Sequence, residues 1–265
     1  MSRPIAELAP FVDALEGVFT DIDDTLTHEG ALVPAAYAAL CAAHSAGLRV
    51  VAVTGRPAGW AEVLAATWPV DAVIAENGAF AVHRDESGRG LQRDYFADLA
   101  ARDEARTRLA EIRARVEREV PRARVADDQW LRQCDVAFDI GETQTMSPEE
   151  IAQIRACVEG AGARVLSSSV HLHAFFGAHD KAKMLVRLAQ RRWGVDLAAR
   201  REHYLYVGDS PNDQSGFAYF PVSAGPANVA RYAALLAPPP VFVAAGAGGH
   251  GFAELMSLVL DRRKR

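Results

Sequence analysis

The sequence has few cysteines, no long apolar run and no excess of basic charge. Its three cysteines form no C-x-x-C pair, so neither a disulfide framework nor a cysteine zinc site is indicated. No stretch reaches the roughly 18 apolar residues of a membrane span, and the formal net charge of -5 comes with no basic stripe for nucleic acid. We therefore expect a soluble cytoplasmic protein that binds neither a nucleic acid nor a membrane.

Short apolar segments alternate with helix-like segments at both ends of the 265-residue chain. Continuous apolar runs bounded by turn residues are typical of buried parallel strands. We predict strands at 18–20, 48–53, 72–75, 204–207, 220–223 and 241–244, and helices at 34–47, 57–68, 181–193 and 252–263. This order predicts an α/β fold with a doubly wound, Rossmann-like parallel sheet.

The middle of the chain has a different pattern. A polar turn at 85–90 precedes a charged helix with a single apolar face, and a strand follows near 136–140. Ser147 and Glu150 have the spacing of a capping box at the start of another helix. We predict a small α/β unit at 83–176, inserted into a domain formed by residues 1–82 and 177–265.

Two groups of carboxylates follow predicted strands. Asp21, Asp23 and Asp24 come after the first strand, and Asp209 and Asp213 follow a strand far downstream. Clustered carboxylates repel one another, and a bound magnesium ion would remove that repulsion. The alternative is a solvated acidic turn. Because functional groups gather beyond the carboxyl ends of parallel strands, we expect the two groups to meet at one edge.

Four short motifs appear in an order that resembles the haloacid dehalogenase-like superfamily. They are Asp21-x-Asp23-x-Thr25, then Thr54, then Lys181, then Gly208-Asp209-x-x-Asn212-Asp213. The insert resembles the C2B-type cap of the IIB, or Cof-like, subfamily. The segments at 75–79 and 248–255 are similar to its sugar-phosphate branch, which includes sucrose-phosphate and mannosyl-3-phosphoglycerate phosphatases.

This resemblance implies a magnesium-dependent phosphatase for small phosphorylated metabolites, with sugar phosphates foremost. Asp21 would be the nucleophile that forms an aspartyl-phosphate, and Asp23 the general acid and base. Two alternatives remain open. One is a phosphotransferase or phosphomutase of the same superfamily, and the other is a non-catalytic protein that binds sugar phosphates.

The resemblance also implies the binding residues. Magnesium would be held by the Asp21 carboxylate, the Asp23 backbone carbonyl and Asp209. Asn212 and Asp213 would orient these ligands without touching the ion. Thr54 and Lys181 would bind the phosphoryl oxygens, although Thr54 is also a candidate helix N-cap and Lys183 is close enough to replace Lys181 in the motif.

Candidate substrate contacts are Arg56, Arg132, His171 and His173. A surface salt bridge explains Arg56 equally well. The two histidines alternate with apolar residues and so share one strand face. Because no third metal ligand is evident, a solvent-facing strand is favoured over a metal site.

Overall fold

A computed structural model describes residues 2–263 of the chain. The strands are β1 (Arg3–Pro4), β2 (Gly17–Thr20), β3 (Thr27–His28), β4 (Ala31–Leu32), β5 (Arg49–Val53), β6 (Ala72–Ala75), β7 (Phe80–Arg84), β8 (Leu91–Tyr95), β9 (Asp135–Asp139), β10 (Arg164–Ser167), β11 (His171–Phe175), β12 (Tyr204–Val207), β13 (Ser223–Gly225) and β14 (Phe242–Val243). The α-helices are α1 (Pro34–Ser45), α2 (Ala58–Thr67), α3 (Leu99–Glu119), α4 (Pro148–Gly160), α5 (Lys181–Trp193), α6 (Leu197–Arg200), α7 (Gln214–Tyr219) and α8 (Gly248–Arg263). Short 3-10 segments lie at Ile5–Ala14, Glu76–Gly78, Gln129–Leu131, Arg201–His203, Pro211–Asp213 and Ala227–Tyr232.

The larger sheet has the strand order β1–β14–β13–β12–β2–β5–β6–β7–β8. Neighbouring strands are parallel from β1 to β6 and antiparallel from β6 to β8. Helices α1, α2 and α8 pack on one face, and α5, α6 and α7 pack on the other. The predicted α/β class with a doubly wound parallel sheet is therefore confirmed. Within residues 2–263, no helix is both long and apolar enough to cross a bilayer.

The central strands are apolar on both faces. Val18 and Val50 belong to the core cluster on the α1 side, whereas their neighbours Phe19 and Val51 belong to the cluster on the α5 side. A strand covered by helices on both faces leaves no side for polar residues. Polar groups of the central strands are therefore displaced to the strand ends, where the candidate site is found.

A smaller antiparallel sheet, β10–β11–β9, lies in the middle of the chain. Helices α3 and α4 cover it, and Leu109, Ile112 and Val116 of α3 are buried in the same cluster as Phe138 and Leu172 of the strands. The predicted apolar face of the charged helix is thus the face that packs. We use "cap" below for residues 99–175, which contain this sheet and its helices.

The larger sheet extends beyond the predicted limit of the first domain. Strands β7 and β8 form a hairpin that continues the sheet to Tyr95, so the limit between residues 82 and 83 falls inside β7. The polar turn at 85–90 closes this hairpin. The division into a core and a cap stays a prediction, and residues 1, 264 and 265 of its core ranges lie outside the described residues.

The prediction of a strand at 220–223 is wrong, because the strand begins only at the last of these residues. Phe220 is the C-cap of α7, and its backbone N–H donates to the carbonyl of Gly216 at 2.9 Å. Its ring packs against Phe19 and Tyr206 from the end of that helix. A short apolar run does not distinguish a strand from a buried helix end, and the strand itself begins at Ser223.

The capping box at the start of α4 is confirmed. Ser147 Oγ accepts from the backbone N–H of Glu150 at 3.2 Å, and the Glu150 carboxylate accepts from the backbone N–H of Ser147 at 2.9 Å. Both groups would otherwise be unpaired at the first turn. Pro148 takes the next position, where its missing N–H costs no hydrogen bond.

Candidate active site

The ends of β2 and β12 bring two acidic residues to the same edge of the sheet. Asp21 directly follows β2, and its backbone N–H donates to the carbonyl of Val207, the last residue of β12, at 2.9 Å. Asp209 lies two residues beyond that strand end. The carboxylates of Asp21 and Asp209 are buried, and an oxygen of each lies within 4.8 Å of the other. The two acidic groups therefore lie together at this edge, as expected.

Lys181 is the cation of this cluster. It occupies the first position of α5, is fully buried, and donates from Nζ to Asp21 Oδ1 at 2.5 Å and to Asp213 Oδ1 at 2.7 Å. Burial lowers the pKa of Lys181, but the two adjacent carboxylates outweigh that effect and hold it above its usual value. Lys183, the alternative in the motif, lies on the surface with 55% of its side chain exposed.

Asp213 is saturated with hydrogen bonds. Its Oδ1 accepts from Lys181 Nζ and from the hydroxyl of Tyr206, the latter at 2.7 Å. Its Oδ2 accepts from the backbone N–H groups of Asp209 and Ser210 at 3.0 and 3.2 Å. This carboxylate therefore fixes the positions of its neighbours. Asn212, in the short segment Pro211–Asp213, donates from Nδ2 to Asn77 Oδ1 at 3.0 Å.

Asp209 has one oxygen with a partner and one without. Oδ2 accepts from Asn228 Nδ2 at 2.9 Å, whereas Oδ1 is buried and has no hydrogen-bond partner within residues 2–263. A buried polar atom is normally paired. One carboxylate oxygen of Asp209 lies within 4.8 Å of an oxygen of Asp21 and of Asp213.

Burial places the acidic pair under electrostatic stress. It raises the pKa of Asp21 well above its usual value; Lys181 opposes that shift, and Asp213 and Asp23 add to it. Burial also raises the pKa of Asp209, with further contributions from Asp21, Asp213 and Asp24. A divalent cation beside these groups would reverse the shifts because it favours the charged carboxylates.

The donor set fits magnesium, a hard cation that takes oxygen ligands. The orphaned Asp209 Oδ1 and the Asp21 carboxylate would hold it, while Asp213 has no oxygen free of hydrogen bonds. The Asp23 carboxylate lies elsewhere, against Arg56. A role for the Asp23 backbone carbonyl in metal binding stays a prediction.

Thr54 is buried at the end of β5 and is not a helix cap. Helix α2 begins at Ala58 with Pro57 as its N-cap, so the alternative interpretation of Thr54 is wrong. Its Oγ1 accepts from the backbone N–H of Arg56 at 2.9 Å. The hydroxyl hydrogen remains available as a donor, as phosphate binding would require.

Arg56 connects the acid Asp23 to the cap. Its Nε and Nη2 donate to the Asp23 carboxylate at 2.8–3.1 Å, and its Nη1 contacts Glu142 Oε1 at 2.7 Å. Only 13% of the Arg56 side chain is exposed. The alternative of a surface salt bridge is thus wrong, because this arginine lies in the junction between the larger sheet and the cap.

The prediction of a solvent-facing histidine strand is also wrong. His171 and His173 of β11 are buried, because this face of the strand is turned toward the larger sheet. His171 Nε2 is 2.8 Å from Glu142 Oε2, and His173 Nδ1 is 2.8 Å from Asp135 Oδ2. Both rings are oriented by a carboxylate, which a solvated strand would not need.

Arg132, a predicted substrate contact, makes its hydrogen bonds within the protein. It donates to the carbonyl of Gly55 at 2.8 Å and to Asp135 at 3.1 and 3.2 Å, and its side chain is fully buried. It does not line the cleft described next. The arginine thus links the cap to the loop after Thr54.

A small cleft of about 10 Å³, room for about one water molecule, lies between the strand ends and the cap. Its lining comprises Asp21, Asp23, Gly55, Arg56, Ser168, Ser169, Val170, His171, His173, Ser210 and Asn212. Of the predicted substrate contacts, Arg56 and both histidines reach it. The cleft brings the two residues predicted to be catalytic together with side chains from the cap.

Three residues of the site were not anticipated from the sequence. Asn228 donates to Asp209, Tyr206 donates to Asp213, and Glu142 binds Arg56 and His171. Asn228 follows the end of β13, and this position after a parallel strand is the one signal that could have indicated it. Tyr206 and Glu142 carry no such signal, because one lies inside a strand and the other in a loop of the cap.

Comparison with known proteins agrees with this geometry. Residues 18–107 match the sequence model of a family described as haloacid dehalogenase-like hydrolase. The match covers about a third of the chain. The matched segment contains Asp21, Asp23 and Thr54, and the later motif residues Lys181 and Asp209 complete the same cluster in space. No curated protein is similar enough in sequence to match the chain.

Solved structures share the fold over almost the whole length. The trehalose-6-phosphate phosphatase C-terminal domain of C. albicans is 13% identical, with 98% of this chain and 97% of that one covered and a TM-score of 0.68. The sucrose-phosphatase of Synechocystis sp. PCC6803, solved with sucrose and phosphate, is 14% identical, with coverages of 92% and 98% and a TM-score of 0.64. A structure described as a subclass IIB sugar phosphatase is 15% identical, with coverages of 91% and 98% and a TM-score of 0.61.

Proposed function

We propose that this protein is a magnesium-dependent phosphatase of the haloacid dehalogenase-like type that hydrolyses small phosphorylated metabolites, with sugar phosphates as its substrate class. One observation carries the proposal: the buried Asp21 carboxylate, which lines the cleft, is bound by Lys181 and lies within 4.8 Å of Asp209, a buried acid with an unpaired oxygen. The fold shared with sugar-phosphate and trehalose-phosphate phosphatases supports the substrate class.

The reaction takes place in two displacements at phosphorus. A carboxylate oxygen of Asp21 attacks, and an aspartyl-phosphate forms while the bond to the leaving oxygen breaks. Asp23 gives a proton to that oxygen, and then takes a proton from the water that attacks the aspartyl-phosphate and releases inorganic phosphate. Arg56 donates two hydrogen bonds to the Asp23 carboxylate and so fixes its position.

Three further groups stabilise negative charge. Lys181 orients Asp21 in the resting site and donates to the phosphoryl oxygens during transfer, as does the hydroxyl of Thr54. Magnesium, when bound, offsets the charge of nucleophile and phosphate together. Asp213 keeps Lys181 charged and in position.

The proposal is tested by measuring inorganic phosphate released from an aryl phosphate and from a panel of phosphorylated sugars, with magnesium and with excess chelator. We expect release that stops in chelator and falls at least a thousandfold in Asp21→Asn. Asp24→Asn is the matched control, because it makes the same chemical change three residues away, at a residue with φ of 55° that asparagine tolerates.

Three outcomes would count against the proposal. Appreciable turnover by Asp21→Asn, at an unchanged unfolding midpoint, would show that Asp21 is not the nucleophile. An unchanged rate of phosphate release in excess chelator would show that the reaction does not need magnesium. Transfer of phosphate to an added sugar hydroxyl, without release of inorganic phosphate, would show a phosphotransferase.

A further inference from the structure

One buried histidine in the cleft has an unused ring nitrogen. His173 lies on β11 with none of its surface exposed. Its Nδ1 is 2.8 Å from Asp135 Oδ2, and Asp135 also receives Arg132 Nη1 at 3.1 and 3.2 Å. The ring is therefore held by a carboxylate that is itself held by a buried guanidinium.

These contacts fix the tautomer of the ring. Burial raises the pKa of Asp135, but Arg132 and the His173 hydrogen bond outweigh it and lower the pKa to about 2. Burial lowers the pKa of His173 to about 4, against the opposing effect of Asp135. At neutral pH the carboxylate is ionised and only accepts, so Nδ1 carries the hydrogen and Nε2 has a lone pair.

That lone pair has no partner. Nε2 of His173 is buried and makes no hydrogen bond to any part of the chain that the structure describes. It lies at the core side of the junction, where a Cβ added to Gly55 would be 3.0 Å away. The residue lines the same cleft as Asp21 and Asp23. A buried acceptor without a partner requires a donor from a ligand or from solvent.

We propose that His173 determines substrate specificity: its Nε2 accepts a hydrogen bond from a hydroxyl of the leaving group, so that the site favours hydroxylated phosphate esters over plain alkyl ones. This inference rests on the proposed phosphatase function. The fixed tautomer means that the ring recognises a donor, and a group that only accepts cannot replace the hydroxyl.

Three small esters of similar size test the recognition: sn-glycerol 3-phosphate, n-propyl phosphate and 2,3-difluoropropyl phosphate. The first donates hydrogen bonds, the second has no polar group on the alkyl chain, and fluorine in the third accepts weakly without donating. We expect kcat/KM of the wild type to favour glycerol phosphate about tenfold over each of the other two, as one hydrogen bond supplies.

The variant that isolates Nε2 is His173→Asn. Its amide nitrogen takes the place of Nδ1 and keeps the hydrogen bond to Asp135, while the acceptor at Nε2 is lost. We expect the preference to fall to about onefold. His173→Gln, whose amide reaches toward the Nε2 position, should recover part of the preference.

A matched control is His83→Asn, which changes another buried histidine paired with a carboxylate, Asp94, on the larger sheet away from the cleft. It should leave the preference at the wild-type ratio. An equal ratio in the wild type and in His173→Asn would overturn the inference even with full phosphatase activity. If the wild type hydrolyses neither these esters nor the aryl phosphate and the sugar phosphates, the phosphatase proposal fails. The same ratio measured as Kd by titration calorimetry then still decides the role of His173.

Discussion

Two buried groups of acids lie within this molecule, and they differ in how their oxygens are satisfied. At the junction between the cap and the larger sheet, Glu76 accepts from the backbone N–H groups of Gln133, Cys134 and Asp135. Asp135 in turn accepts from Arg132 and His173. Every carboxylate oxygen in this pair has a donor, so the group stabilises the junction.

The acids at the strand ends lack that completeness. Asp21 and Asp213 share one lysine, and Asp209 Oδ1 has no partner among residues 2–263. The difference shows that burial and charge alone do not separate a structural carboxylate from a functional one. What separates them is an oxygen left over after the protein has made its own hydrogen bonds, because only that oxygen is available to an ion or substrate.

The largest effect is expected from Lys181→Met. Removing the one cation between Asp21 and Asp213 leaves buried, unpaired carboxylates, so the free energy of unfolding should fall by about 3–5 kcal/mol. Activity should fall at least a hundredfold, since the donor to the phosphoryl group is lost. Chemical denaturation and phosphate release measure the two effects.

Lys183→Met is the control for that variant, because Lys183 is exposed two residues further along the same helix. It should change stability by less than about 1 kcal/mol. Similar losses in both variants would mean that the lysine of the motif has been assigned to the wrong position.

Opposite signs are expected when one acid from each group is neutralised. Asp135→Asn breaks a satisfied buried pair and should lower the free energy of unfolding by about 3 kcal/mol. Asp209→Asn, measured in chelator, should raise it by about 1 kcal/mol, or roughly 2–4 °C in Tm, because a strained carboxylate is removed. Calorimetry of both variants in the same buffer gives the comparison.

Magnesium completes this test. Asp209→Asn should also require at least tenfold more magnesium for half-maximal activity, since a ligand to the ion is weakened. A loss of stability in both variants, with an unchanged magnesium requirement, would show that the two groups of acids are alike.

A smaller effect is expected from Glu142→Gln at the junction. The hydrogen bond from His171 and the charge of Arg56 lower the pKa of Glu142 to about 2, from 4.5 in the unfolded chain. The carboxylate therefore contributes stability that is fully present above pH 4.5 and lost as the pH falls toward 2. At pH 7 we expect a loss of about 1 kcal/mol, since the side chain is 30% exposed.

Denaturation of wild type and Glu142→Gln from pH 7 to pH 2 should show the difference shrinking below pH 4.5. Glu86→Gln, a change at an exposed residue of the hairpin turn, should give no difference at any pH. A gap that stays constant to pH 2 would contradict the role assigned to Glu142.

The smallest effect is expected from Ser147→Ala in the cap. The substitution removes the N-cap hydrogen bond of α4 and should lower the free energy of unfolding by about 1 kcal/mol. It should not change kcat/KM, because the start of the helix lies outside the cleft. Ser147→Thr, which keeps the oxygen, should be close to wild type. A loss of activity in Ser147→Ala alone would mean that the cap helix and the cleft are coupled.

The parts of the molecule predicted well from the sequence are those set by local pattern. Apolar runs located the central strands, and the helix predicted at 181–193 has the bounds observed for α5. Ser147 and Glu150 form the predicted capping box of α4, because this motif depends only on residues three apart.

The errors arose where distant segments decide the environment. The predicted boundary between residues 82 and 83 falls inside β7, because the hairpin of β7 and β8 extends the larger sheet by pairing with β6, which local sequence does not show. His171 and His173 were expected in solvent, since alternation along a strand shows that residues share a face but not what covers it. Asn228 and Tyr206 entered the site through hydrogen bonds across the sheet.

The sequence by itself determined the fold class and the position of the acidic residues after buried strands, because strand burial and helix capping are encoded within a few residues. The tertiary structure alone decided which oxygens remain unpaired. The orphaned Asp209 Oδ1 and His173 Nε2 are defined by what segments far apart in the chain supply or withhold. Hydrogen bonding of a buried group is a property of its whole surroundings, and local sequence does not contain it.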